Sequence, residues 1–326
     1  MPNLISLSRS EPSPAGKPAL HVLLANPRGF CAGVRRAIAA VEAALDRHGA
    51  PVYVRRPIVH NMAVVRALEA KGAVFVRELE EVPEGCVVVL SAHGVSRSVR
   101  SEASERGLHW LDATCPLVEK VHREVVRHHE AGRHVILVGH EGHPEVEGTL
   151  GQVPPGAATL VSSPESVRAL PLERERRVAY AIQTTYAQDE AQGIVEAIGA
   201  RFEDVASPPT SDICYATSNR QHAVQELAPL VDAVIVAGEA FSSNAARLAE
   251  VARAAGCAAV QLAPDADRVD WDALGAPRRL GLTAAASTPE SAVDGILAAL
   301  EERFDIRVEQ RPGPEERTVF RPVRVA

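Results

Sequence analysis

Residues 21–45 read HVLLANPRGFCAGVRRAIAAVEAAL. A short apolar run leads through a Pro- and Gly-bearing turn to Cys31, and an amphipathic helical pattern follows it. Val34, Ala37, Ile38, Val41 and Leu45 keep helical spacing, and Gly49 stands where such a helix stops. The same order recurs at residues 108–129, LHWLDATCPLVEKVHREVVRHH, and at residues 202–230, FEDVASPPTSDICYATSNRQHAVQELAPL. Each stretch is strand, loop, cysteine, helix. The cysteines, Cys31, Cys115 and Cys214, are 84 and 99 residues apart. Pro116 follows Cys115 directly, a position where a first-turn proline is tolerated. Three equivalent helix N-termini, each offering one thiol, point to a single metal centre on a pseudo-threefold axis. Three thiolates also leave a fourth ligand position open, which catalysis at a metal requires.

The repeat runs deeper than the cysteines. A strand-like PVYVRRPIVHN ends near His60, HVILVGHEGHPE reaches His143, and AVIVAGEAFSSN begins its polar tip at Ser242; these lie 29, 28 and 28 residues past the respective cysteines. Each block then offers a short strand (GAVFVREL, TLVSS, AAVQLA) and a strand with a polar terminus (CVVVLSAHG, VAYAIQTTYA, RLGLTAAAST). Short apolar strands alternating with helical patterns mean βα units and parallel sheets. The expected fold is therefore α/β: three small parallel-sheet domains in pseudo-threefold arrangement around a central cluster. The expected divisions are an extension without structure at 1–18, the first strand and cysteine loop at 19–31, domains at 32–115, 116–210 and 211–300, and a charged, Pro-rich tail at 301–326 that reads as a surface strand or loose end. The first strand is expected to join the third domain's sheet and close the ring.

With 46% hydrophobic residues in 326, the chain can bury a sizeable core. A net charge of −7 argues against bulk nucleic-acid binding. No apolar run approaches the ~20 residues that span a membrane, and residues 1–18 lack the apolar core of a secretory signal. Five cysteines without such a signal place the chain in a reducing compartment, the cytoplasm.

Ligands of parallel α/β sheets bind at the carboxyl ends of strands. Those ends carry His60, His93, His143, Glu145, Thr184, Thr185, Ser242, Ser243, Asn244 and Ser287. Taken singly, each has a plainer reading: a histidine after a strand is commonly a cap or surface residue, and Ser242-Ser243-Asn244 is a good helix N-cap. The same geometry also binds phosphate through hydroxyls and first-turn N–H groups. Cys86 and Cys257 read as ordinary packing residues, and His122, His128, His129 and His134 as solvated. Zinc usually takes closely spaced cysteine pairs, and none occurs here. Three distant thiols suit a [4Fe–4S] cluster with one iron free of protein ligands. No strand leads into a Gly-x-Gly-x-x-Gly or a P-loop, so a nucleotide cofactor is unsupported.

The motifs NPRGFCAGVRRAI, VYVRRPIVHN, LSAHGVS, DATCPLVEKVH, VGHEGHPEVEGTLGQ, QTTYA, DICYATSNRQ and FSSNAARLAE, in order from His21 to about Leu300, resemble the 4-hydroxy-3-methylbut-2-enyl diphosphate reductase family. The resemblance implies a three-domain iron–sulfur oxidoreductase of the methylerythritol phosphate route to isoprenoids. Such an enzyme removes the allylic hydroxyl to give isopentenyl and dimethylallyl diphosphate. It implies Cys31, Cys115 and Cys214 as ligands of a [4Fe–4S] cluster. His60, His93, His143, Ser242, Ser243, Asn244 and Ser287 match diphosphate-binding positions, Glu145 the proton-delivering carboxylate, and Thr184 its partner beside the substrate hydroxyl. It further implies an external electron donor such as ferredoxin or flavodoxin, and a monomer. GEAFSSN and TAAAS depart from the commoner family patterns without removing a side chain the chemistry uses. Two rival readings are an iron–sulfur hydro-lyase, which would need no reductant, and a non-catalytic, metal-stabilised phosphate-binding protein.

Overall fold

A computed structural model describes residues 16–325. The extension expected at 1–18 falls mostly outside the described residues; the Pro18 carbonyl already accepts the Asp305 N–H. The chain enters on β1 (Ala19–Leu24) and turns through Cys31 into α1 (Ala32–His48). It continues as β2 (Val52–Arg55), α2 (Met62–Glu69), β3 (Ala73–Val76), β4 (Val87–Leu90), α3 (Arg97–Glu105) and β5 (His109–Asp112). A second round gives α4 (Pro116–Glu130), β6 (His134–Val138), α5 (Pro144–Leu150), β7 (Ala158–Val161), α6 (Pro164–Arg168), β8 (Val178–Ile182), α7 (Gln188–Arg201) and β9 (Val205–Ala206). The third gives α8 (Tyr215–Leu227), β10 (Ala233–Ala237), α9 (Ser243–Ala254), β11 (Ala259–Ala263), α10 (Trp271–Leu274), β12 (Arg279–Ala284), α11 (Glu290–Arg303) and β13 (Asp305–Gln310).

These strands form three sheets, with orders β3-β2-β4-β5, β7-β6-β8-β9 and β11-β10-β12-β1-β13, and each pairing is parallel. The orders superimpose. β1 takes in the third sheet the place that β5 and β9 take in theirs, so each of these strands leads to one cysteine. β13, within the stretch assigned to the tail, adds an outer strand beside β1.

The central strands β6, β8, β10 and β12, rich in Val, Ile, Leu and Ala, are buried on both faces, as parallel sheets require. In β6, Ile136 and Val138 pack into one cluster and Val135 and Leu137 into another. In β10, Ile235 and Ala237 face one side while Val234 and Val236 face the other. Fully burying one such side chain stabilises by about 1.5–3 kcal/mol. These packed layers hold the loops at the strand ends in fixed positions.

Three histidines read as solvated are instead buried: His122, His128 and His134. His122 and His128 share one face of α4 with Val118, Val121 and Val125, so helical period sets their burial. Gly94 has φ +80°, and a Cβ there would lie 2.6 Å from the His122 ring. His134 begins β6 and pairs through Nε2 with Thr159 Oγ1 at 2.9 Å.

Candidate active site

In each sheet the chain switches direction between its two central strands, β2/β4, β6/β8 and β10/β12, and ligand crevices form at such points. The loops after those strands carry His60 and His93, His143 and Thr184, and Ser242 and Ser287. All three crevices meet. A cavity of about 110 Å³ is lined by Cys31, Cys115, Cys214, His60, His93, His143, Glu145, Thr184, Ser242, Ser243, Asn244 and Ser287. Every residue singled out as a candidate, Thr185 included, reaches this one space, together with Thr217.

The cysteines occupy three equivalent places. Each is the N-cap residue of a helix: Cys31 of α1, Cys115 of α4 and Cys214 of α8. Their backbone N–H groups donate to Ala286, Ala92 and Thr184 carbonyls at 3.2, 2.9 and 3.0 Å, in the loops after β12, β4 and β8. The Val34 and Thr217 N–H groups donate to the Cys31 and Cys214 sulfurs at 3.4 Å. The positive end of each helix dipole favours a thiolate there. Burial acts the other way, pushing the Cys115 thiol up to about 12 and the Cys214 thiol up to about 11. A positively charged group in the cavity would tip that balance towards the thiolates.

Gly33 shows how closely the sulfurs approach. A Cβ at Gly33 would lie 2.8 Å from Cys115 Sγ and 3.8 Å from Cys31 Sγ. A glycine in a helix's first turn costs propensity, and here close approach of two thiols accounts for it. Three thiols that line one cavity from three separate helix starts, without a closely spaced cysteine pair, suit a multi-iron cluster better than tetrahedral zinc. Gly33→Ala is therefore expected to lower iron retained by anaerobically prepared protein while the far-UV spectrum stays unchanged; full iron content would contradict the crowding.

Glu145, read from the sequence at the carboxyl end of a strand, lies in the first turn of α5, with Pro144 at the helix start and His143 as its cap. It is 2% exposed. The Thr184 N–H donates to Oε1 at 2.7 Å and the Thr184 hydroxyl to Oε2 at 2.8 Å. Burial outweighs these bonds and raises the carboxyl to about 7. It is thus poised between acid and base near neutrality. Glu147, the neighbouring acid of the same motif, points away: it pairs with Arg56 at 2.6 Å and its side chain is half exposed.

The rest of the lining is rich in hydrogen-bonding side chains. His60, His93 and His143 cluster with ring centroids 4.0, 5.4 and 5.9 Å apart. Burial pushes His60 down to about 4 and His143 to about 3, and His93 well below its ordinary value. With the cavity empty all three are neutral, each with one N–H to donate. Ser242 caps α9, which presents Ser243 and Asn244 in its first turn. Asn244 Oδ1 accepts the Ala286 N–H at 3.0 Å, and Ser287 Oγ donates to the His60 carbonyl at 3.1 Å. Three buried polar atoms of this lining have no partner: His60 Nε2, His143 Nε2 and Asn244 Nδ2. Buried polar atoms without partners are costly, so their presence together suits a ligand that forms hydrogen bonds.

Two contributors were not singled out from the sequence. Thr217 approaches Cys214 Sγ through its hydroxyl at 3.2 Å; a Cys-x-x-Thr at a helix start was the available signal. Arg220 is fully buried and donates through Nη2 to the Gly29 carbonyl at 2.7 Å, two residues before Cys31. Its partners lie far away in sequence, so nothing local announces it.

The family model described as LytB protein matches residues 22–301. The chain is similar to the 4-hydroxy-3-methylbut-2-enyl diphosphate reductase of Beijerinckia indica subsp. indica, with 52% identity over 93% of this chain and 96% of that protein. It is likewise 51% identical to the Gluconobacter oxydans protein of the same name, over 93% of this chain and 91% of that one. Among solved structures, it resembles the E-1-hydroxy-2-methyl-but-2-enyl-4-diphosphate reductase from Plasmodium falciparum at TM-score 0.85. That match has 34% identity and covers 92% of this chain and 94% of the other.

Proposed function

This chain belongs to the LytB protein family, and from that premise we propose that it is an oxidoreductase removing the allylic hydroxyl of 4-hydroxy-3-methylbut-2-enyl diphosphate. Two electrons and two protons are consumed, and isopentenyl diphosphate, dimethylallyl diphosphate and water are formed. The observation that carries the residue assignment is the shared lining of one cavity. It brings together three helix-capping thiols and the unpartnered polar atoms of His60, His143 and Asn244. No helix among the described residues is long and apolar enough to cross a membrane; the proposed place of action is the reducing cytoplasm, where these thiols stay free.

When bound by Cys31, Cys115 and Cys214, a [4Fe–4S] cluster would supply electrons one at a time and one Lewis-acidic iron without a protein ligand. The chain's own residues do the rest. His60, His93 and His143 donate N–H groups to the diphosphate, and its negative charge raises their pKa values towards protonation, strengthening the hydrogen bonds. Ser242, Ser243 and Asn244 add side chains and the first-turn N–H groups of α9. Anchoring at the diphosphate leaves the carbon chain to extend towards the thiols and Glu145, which converts binding into orientation. Glu145, neutral below about pH 7, gives its proton to the departing hydroxyl. Thr184 holds that carboxyl by two hydrogen bonds while its carbonyl holds the Cys214 N–H.

Reductant dependence tests this reading. Anaerobic protein with a low-potential reductant is expected to form both isoprenyl diphosphates, and none without reductant; conversion without reductant would favour a hydro-lyase. The proposed diphosphate site has its own test. Asn244→Asp keeps the acceptor for the Ala286 N–H but replaces the free donor with a carboxylate. It should weaken inorganic diphosphate binding by at least the about 1.5–3 kcal/mol of a hydrogen bond to a charged group. Equal affinity in calorimetry would remove Asn244 from the site.

A further inference from the structure

The chain beyond β13 runs back over the outside of the cysteine loops. A Cβ at Gly313 would collide with the Asn26 backbone, so the chain leaves the third sheet pressed against the turn that follows β1. Val323 and Val325, near its far end, pack against the apolar core of the first domain, as Val34 and Ile38 of α1 do. Between these anchors lie Glu316 and Arg321, where the segment meets two arginines, Arg220 of α8 and Arg36 of α1. This whole stretch lies beyond the residues that the family model matches.

Both arginines hold cysteine loops. Arg220, fully buried, donates through Nε and Nη2 to the Gly29 carbonyl at 3.2 and 2.7 Å, two residues before Cys31. Its Nη1 donates to the Ala216 carbonyl at 2.9 Å, two residues after Cys214. Glu316 accepts from the same guanidinium with both oxygens, at 2.8 and 3.2 Å, and from the Asn219 side-chain N–H at 3.2 Å. Arg36 donates through Nη1 to the Ala113 and Thr114 carbonyls at 3.3 and 3.0 Å, immediately before Cys115, and through Nε to the Arg321 carbonyl at 2.8 Å. Two guanidinium groups therefore reach the chain beside all three thiols, and one segment of the tail engages both. A two-point Arg–carboxylate pair fixes geometry as well as charge. A guanidinium buried this deeply needs that carboxylate, because an unpaired buried charge is strongly destabilising.

We propose that residues 316–321 are a strap that keeps the three cysteine loops in register, with Glu316, Arg220 and Arg36 as positioning residues for the cluster. The inference rests on the three-thiolate cluster reading given above. The cysteines come from three domains, and a cluster held by three thiolates is released once any one loop opens. The strap raises the free energy of that local opening. It does so from outside: none of its three side chains lines the cavity of the thiols and the diphosphate-binding residues.

The test follows the visible absorption of anaerobic, cluster-loaded protein challenged with an iron chelator. Glu316→Gln keeps the size of the side chain but removes the charge opposite Arg220. Arg36→Gln, at a half-buried position of α1, cuts the other tie. Each should release the cluster on the order of tenfold faster than wild type, the scale of a charge-assisted hydrogen bond lost from a local opening equilibrium. Asp204→Asn is the control. It breaks an ion pair of the same kind, with Arg133 at 2.6 Å, at the starting ends of β8 and β9 and away from the cysteine loops. It should lower the melting temperature of cluster-free protein and leave release unchanged. Wild-type release rates in both Glu316→Gln and Arg36→Gln would overturn the proposal. So would equal acceleration by Asp204→Asn, which would mean that general stability and not the strap sets retention. If Glu316→Gln fails to fold, Arg36→Gln decides alone. Wild type that takes up no cluster would remove the cluster reading and the strap with it, whereas normal loading with identical release would sink the strap alone.

Discussion

Glu145→Gln is expected to lose roughly 10²–10⁴ of turnover, the span for removing a general acid, while keeping its cluster and its substrate affinity. Glutamine preserves the size of the side chain and can still accept the Thr184 N–H at the position of Oε1. What disappears is the transferable proton. The raised carboxyl adds a pH signature. With a pKa of about 7, Glu145 is the neutral acid below neutrality, so wild-type turnover should decline as pH rises past about 7, and the residual activity of the variant should lack that limb. Stability gives an independent reading. The folded-state pKa lies above the unfolded value of about 4.3, so the contribution of burying a neutral carboxyl is fully present below about pH 4.3. It is lost as pH rises towards 7, where ionising a buried group opposes folding. In cluster-free protein, the variant's melting temperature should therefore gain on wild type across that window. Near-normal turnover with a full cluster would move the acid role to another group, Thr184 or a substrate phosphate.

Replacing any one of Cys31, Cys115 and Cys214 with serine should abolish turnover and sharply lower bound iron. The three sites are equivalent in the fold, each a helix N-cap held by a carbonyl of the adjoining loop, so no one of them is dispensable. A hydroxyl is a poor substitute for a thiolate at iron, and its shorter reach leaves the third corner open. Cys86 and Cys257 provide the contrast. Cys257 is buried in the third sheet's apolar layer and Cys86 packs beside Leu108 and Val88. Serine at either position should retain the iron at a modest packing cost. Iron lost from Cys86→Ser but retained by Cys31→Ser would refute the ligand assignment.

Much of this arrangement is legible in the sequence because a threefold repeat speaks three times. One cysteine before one helix says little. Three of them, each followed 28 or 29 residues later by a polar strand end, place the strand ends around one space. The position of β1 in the third sheet follows from the same periodicity, since that sheet otherwise lacks the strand leading to a cysteine. What stayed hidden depends on long-range contact. β13 is the surface strand that the tail allowed, but its place beside β1, some 286 residues away, is set by a long-range pairing that its exposed DIRVEQ pattern does not declare. The burial of His122 and His128 was readable from the period of α4 but was overridden by the usual exposure of histidine. Glu145 reads as the polar end of a strand although Pro144 is a first-turn residue. Arg220 and its partner Glu316 stand 96 residues apart, and only the folded chain brings them together behind the Cys31 loop.

The central claim is that three helix-capping thiols hold one iron–sulfur cluster in a cavity shared with a diphosphate site. Counting iron, acid-labile sulfide and zinc in anaerobically prepared protein, alongside its visible absorption, tests it most directly. The expected result is about four iron and four sulfide per chain, a broad visible band that bleaches on reduction, and negligible zinc. Stoichiometric zinc without sulfide, or a colourless protein with full reductase activity, would contradict it.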